Sequence, residues 1–102
     1  MIRHIVMFKL KDAEGRTAYE NALLAKEKAD KLPGLVPSVR AFTSVVNLPE
    51  ADNTNYNFAL IADFDDMKGL DEYQVHPDHK AFGAFIVAVR AENGRACIDF
   101  EI

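Results

Sequence analysis

The chain has no tryptophan and a single cysteine, Cys97. A lone thiol closes no internal bridge, so the fold cannot rest on disulfides, and a reducing, cytoplasmic setting suits it. Basic residues are the minority, 12 against 16 acids, and the two signs are interspersed without a basic stripe. A phosphate backbone needs clustered cations, so nucleic acid is excluded as an expected partner. No apolar run approaches the ~20 residues of a membrane-spanning helix; the longest lies around Ala81 to Val89. Met1-Ile2-Arg3-His4-Ile5 reads as the start of a strand and not as a signal peptide. There is no phosphate loop, dinucleotide fingerprint or nucleophile elbow, which removes phosphoryl and hydride transfer. Linkers, repeats and low-complexity segments are absent as well.

What is present is a folded domain. Apolar residues make up 49% of the 102 positions, too many for a disordered chain. The length fits one domain spanning 1–102, with a modest core that removes about two thirds of the unfolded surface from water.

Residues Ile2 to Leu10 alternate, with His4, Val6, Phe8 and Leu10 on one side and Ile5, Met7 and Lys9 on the other. That period is a strand. From 14 to 32 the spacing turns helical, with a stripe of Ala18, Ala22, Ala25, Ala29 and Leu32 widened by Tyr19 and Leu23. Pro33-Gly34 is read as its stop. Strands are expected at 38–46, after Pro37, and at 56–64. Asp65-Asp66 caps a short helix through Tyr73. Pro77 suits the first position of a further helix that Asn93-Gly94 ends, and 96–102 forms the last strand.

Strand, helix, strand, strand, helix pair, strand is the ferredoxin-like split βαβ order, an α+β fold. It predicts one four-stranded antiparallel sheet with helices on a single face. The strands carry apolar residues on both faces, and helices cover only one. A homodimer packed sheet to sheet, as a dimeric α/β barrel, is expected to hide the other.

Chemistry concentrates in Tyr73-Gln74-Val75-His76-Pro77-Asp78-His79, which holds two of the three histidines. As the third residue of a helix opened by Pro77, His79 feels the partial positive charge of the amino end. That favours the neutral ring a general base requires. His76 falls at the capping position, where its ring accepts a backbone N–H, so His76 and Pro77 read as helix architecture. Tyr73, three residues before His76, is a candidate to hold a carbonyl oxygen or enolate. His4 sits among apolar neighbours and needs a partner if buried: a histidine, a tyrosine or a ligand. No HExxH pattern or cysteine pair supports a metal, and Asp63, Asp65 and Asp66 are explained by alternation and capping, so no metal or other cofactor is expected.

These residues resemble a known family. The opening strand, the Y-x-x-H-P-x-H-x-x-F segment at Tyr73 to Phe82, and Ile98-Asp99-Phe100-Glu101 are similar to the stress-responsive dimeric α/β-barrel (Dabb) domain over essentially the whole chain. The resemblance implies a ferredoxin-like protomer and a dimer with facing sheets. One member, olivetolic acid cyclase, folds a linear polyketide into an aromatic ring without a cofactor. By motif position its working residues fall on His4, Tyr73 and His79. The tyrosine on its first helix has no counterpart, since this region reads Leu23-Leu24-Ala25-Lys26 and Tyr19 comes too early.

Three functions follow as expectations. The first is a small, apolar, polyketide-like or aromatic ligand bound between sheet and helices, against Phe8, Leu23, Phe82 and Phe85. It is served by cofactor-free cyclase, lyase or isomerase chemistry. The second is a non-catalytic stress-response or structural dimer. The third is a cofactor-free monooxygenase, a role known in other dimeric α/β-barrel families.

Overall fold

A computed structural model describes residues 1–102. The elements are β1 (Ile2–Leu10), α1 (Ala18–Ala29), α2 (Leu32–Leu35), β2 (Ala41–Val46), β3 (Phe58–Phe64), α3 (Met67–Val75), α4 (Pro77–Val89) and β4 (Arg90–Glu101). The strands make one antiparallel sheet in the order β2-β3-β1-β4. The helices cover one face of it, which is the ferredoxin-like arrangement. Val6, Phe8 and Leu10 of β1 and Phe58, Leu60, Ala62 and Phe64 of β3 are buried on that face. They meet Ala22, Ala25 and Ala29 of α1 and Phe82, Ile86 and Val89 of α4 in one cluster. Alanine on α1 lets the helix lie close to the pleat.

Local chemistry moves several boundaries. Glu14 and Gly15 take positive φ, 57° and 75°, in a tight turn bridged between Ala13 and Arg16. The first helix therefore starts at Ala18 and not at 14. Its cap is a reciprocal box, Thr17 Oγ1 accepting from the Glu20 N–H at 3.1 Å and Glu20 accepting from the Thr17 N–H at 2.9 Å. Buried Asn21 pins the turn to the helix, donating to the Lys11 and Ala13 carbonyls and accepting from Arg16 Nε at 2.7 Å. The helix ends at Ala29. Pro33 lies inside α2, near its first position, where the missing N–H costs nothing. Tyr19 and Leu23 are exposed rather than part of the buried stripe. β2 and β3 begin a few residues later than the sequence suggests, at Ala41 and Phe58.

The largest departure is at β4. Asn93-Gly94 does not end a helix; α4 stops at Val89 and the strand begins at once with Arg90. Leu10 pairs with Arg90 and Phe8 with Arg95, so the extra residues of β4 bulge out between two rungs of β1. Asn93 has φ 57°, and a Cβ on Gly94 would lie 2.7 Å from the Lys9 carbonyl oxygen and 2.8 Å from that of Ala91. Only glycine fits there.

The uncovered face is apolar. Ile61, Ile5 and Ile98 lie side by side across β3, β1 and β4, with Val45, Ala59, Met7 and Ala96 in the next row. Ile98 keeps 59% of its surface exposed. Its charges lie at the two ends of β1: Arg3 grips Asp63 through two bonds of 2.8 and 2.9 Å, and the Lys9 ammonium donates to the Asn53 and Asn55 carbonyls at 2.7 Å. No helix is long and apolar enough to cross a membrane.

Candidate acid–base site

The end of α3 and the start of α4 build one half of the site. His76 ends α3 and caps α4, its Nδ1 accepting the Asp78 N–H at 3.1 Å, and Pro77 supplies the first helical residue. This turn places His79 in the first turn of α4. Tyr73 and His76 do not act as a pair; the ring beside Tyr73 is His79, with centroids 4.3 Å apart.

His79 Nδ1 lies 3.2 Å from the Gln74 carbonyl oxygen. A carbonyl only accepts, so Nδ1 carries the proton and Nε2 presents its lone pair when the ring is neutral. Burial lowers the ring's proton affinity below the ordinary imidazole value. The Gln74 carbonyl partly opposes this, and the nearby His4, Arg95 and His76 add to the lowering. The neutral base is the favoured form.

Tyr73 is fully buried between the Phe64 ring, at 5.1 Å, and His79. Its hydroxyl has no hydrogen-bond partner. Burial pushes the phenol far above its usual range, so Tyr73 is a neutral donor and not a phenolate.

The other half comes from the sheet. His4, 3% exposed, presents its ring edge-on to Tyr73 at 6.4 Å. Register sets it opposite Asp99 of β4, and its Nδ1 is 2.5 Å from the Asp99 carboxylate. The carboxylate accepts, which fixes Nδ1–H and leaves Nε2 without a protein partner. The partner expected of a buried His4 is thus an aspartate, not a histidine or tyrosine. Cys97 Sγ lies 3.5 Å from the same Nδ1. Burial, then Asp99, push its thiol up, so it is no ready nucleophile.

The two imidazoles open on one cavity of about 160 Å³. Val6, Phe8, Leu60, Phe82 and Ile86 form its apolar floor, while Gln74, Arg90 and Arg95 join His4 and His79 on its walls. Of the residues read from sequence as ligand contacts, Phe8 and Phe82 line it and Leu23 and Phe85 do not. Leu23 stands on the outer side of α1. Phe85 sits under the Arg16 guanidinium and the Lys28 ammonium, at 5.9 and 5.2 Å. Tyr73 lies behind the imidazoles, outside the lining. A wider cleft of about 290 Å³, between Pro37 and Glu72, is lined mainly by charged and small residues without histidine, cysteine or tyrosine, and its Arg40 is paired with Asp65.

One trio could hold an ion: His4 Nδ1, Cys97 Sγ and an Asp99 oxygen lie within 4.8 Å of one another. Its donor set fits poorly. Nδ1 already serves Asp99, and the Arg95 guanidinium stands within reach of the thiol, where it repels a cation. The aspartate and arginines of the site have no periodic signature; only strand register brings Asp99, Arg90 and Arg95 to His4.

The stress-responsive A/B barrel domain (Dabb) matches residues 2–102. An uncharacterised protein of Streptomyces coelicolor is 37% identical over 82 residues, 79% of this chain and 81% of its own. A dimeric ferredoxin-like protein of unknown function from Thermobifida fusca superposes with a TM-score of 0.80 at 32% identity, covering 99% of this chain and 90% of that one. A similar dimeric protein from Bacteroides fragilis gives 0.79 at 30% identity, covering 99% and 95%. A cofactor-independent oxygenase from Streptomyces nogalater, at 10% identity and a TM-score of 0.72 over 99% and 91%, shares the fold alone. The chain belongs to the stress-responsive A/B barrel domain family.

Proposed function

We propose that this protein binds a small, largely apolar molecule in the His4–His79 cavity and moves a proton on it without a cofactor, in cyclase, lyase or isomerase chemistry. One observation carries the reading: a base with a free Nε2 lies against a buried tyrosine whose hydroxyl has no partner. A purely structural tyrosine would give up that hydroxyl, because an unsatisfied buried donor costs about 1–3 kcal/mol. The arrangement therefore favours a functional pocket over the non-catalytic dimer.

In this reading His79 Nε2 removes a proton next to a ligand carbonyl. The Tyr73 hydroxyl, kept in its donor form one layer beneath the His79 wall, is the donor that meets the developing oxyanion once the His79 ring shifts to admit it. His4, held in one tautomer by Asp99, returns or relays the proton. Polyketide-like and aromatic carbonyl compounds suit the apolar floor. The working unit is a homodimer closed over the free sheet face, in keeping with the dimeric relatives. A cytoplasmic, stress-linked role suits the free thiol and the family. His79→Ala should abolish turnover of a β-polyketide-like substrate while the far-ultraviolet dichroism stays unchanged. Undiminished turnover would rule out His79 as the base.

A further inference from the structure

We propose that the cavity's ligand carries an anionic head group, a carboxylate, held by Arg90 and Arg95. The proposal rests on the cavity being a ligand site and adds the class of molecule it takes.

The chain has five arginines. Arg3 and Arg40 each grip a carboxylate, Asp63 and Asp65. Arg16 donates to Asn21. Arg90 and Arg95 alone have no oxygen acceptor, and both line the cavity that holds the two imidazoles. The one acceptor within hydrogen-bond reach of Arg95 is the Cys97 thiol, a weak one. In a protein of net charge -4, two uncommitted guanidiniums at one apolar-floored cavity are out of keeping with the rest of the surface.

Their placement is built into the fold. Residues five apart on a regular strand point to opposite faces and stand roughly 17 Å apart. The β4 bulge cancels both separations. Arg90 pairs with Leu10 and Arg95 with Phe8, neighbours on the same pleat of β1, so both side chains reach the helix-covered face about 7 Å apart. Gly94, whose place admits no Cβ, makes the bulge possible. A planar fork is the match for a carboxylate, and about 160 Å³ has room for a small acid rather than a nucleotide. The carboxylate would also sit within the chemistry: an acid head held by the arginines directs the ligand's carbonyl region toward His79 and Tyr73.

Benzoate and hexanoate are the probes, with benzamide and hexanamide as uncharged isosteres, titrated into the full chain by calorimetry and by amide chemical-shift mapping. Each acid should bind at least about tenfold more tightly than its amide, since hydrogen bonds to charged groups contribute that much. High salt should erode the preference, as screening dictates. Arg90→Gln and Arg95→Gln should each weaken acid binding about tenfold and leave amide binding alone. Arg95→Lys should restore part of it, and Arg40→Gln, at the other cleft, should change nothing. Equal affinity of acid and amide at the mapped cavity overturns the anion assignment while leaving the cavity a ligand site. An acid preference that survives both arginine substitutions, or no binding by any probe, overturns it too. The readout needs no turnover, so it is separate from the His79→Ala test, and His79→Ala itself should retain the acid preference.

Discussion

His79 carries two pH signatures. Its proton affinity in the folded chain lies below the ordinary imidazole value of about 6.5, chiefly through burial. As the base, it stays competent below pH 6.5, and the acid limb of kcat/KM should fall at a lower pH than a free histidine would give. Stability follows the same shift. Below about 6.5 the unfolded chain takes up the proton before the native chain does, so stability is lost as pH falls toward the folded value, then levels off. Urea unfolding across that window should show the slope, and His79→Ala should flatten it. Tyr73 separates function from structure in one substitution. Tyr73→Phe removes an orphan hydroxyl and should leave stability unchanged or raise it by about 1 kcal/mol, a gain of roughly 4–8 °C in Tm. Turnover should nonetheless drop on the order of 10²-fold, the usual cost of one oxyanion donor. A Tm that falls with unchanged turnover would make the tyrosine a core residue and nothing more.

Among the elements, α4 and β4 differ in how far their sequence explains them. The start of α4 depends on neighbours in the chain: a capping ring at His76, a proline that needs no N–H partner, and a turn that delivers His79. Such local rules are readable without knowing the fold. The strands of β1 and β3 are readable for the same reason, from the period of two. β4 is not. Asn93-Gly94 carries the same signal whether it stops a helix or opens a bulge, and only the closeness of the Lys9 carbonyl decides. Asp99 as the partner of His4, and the two arginines of the cavity wall, depend on that register and stay invisible along with it. Burial of Asn21 also escapes a reading by hydropathy, because its hydrogen bonds rather than its polarity decide its place. Gly94→Ala tests the bulge. A Cβ against two backbone oxygens should cost about 1–3 kcal/mol, seen as a lower midpoint in urea. It should also move the amide signals of Arg90, Arg95 and Asp99, with Arg40 unaffected.

For the whole molecule, the decisive feature is the uncovered sheet face. Isoleucines on three adjacent strands, with Met7, Val45 and Phe100 around them, form a surface that a lone protomer would leave in water. Light scattering should return about twice the chain mass of 11.4 kDa. Ile98→Asp, at the most exposed isoleucine of that face and on its edge strand, should shift it to the monomer while far-ultraviolet dichroism is retained. A monomeric mass for the unaltered chain would remove the sheet-to-sheet assembly.

β4 alternates between two duties. Ile98 and Phe100 face outward, and Cys97 and Asp99, one residue away on either side, face His4. An edge strand has pairing on one side only, so its outer residues are otherwise free to fray. A partner pressed onto Ile98 and Phe100 would clamp the very backbone that aims Asp99. Dilution then becomes a chemical variable: as protomers separate, His4 loses its brace, and activity per chain should decline with concentration even where every chain remains folded.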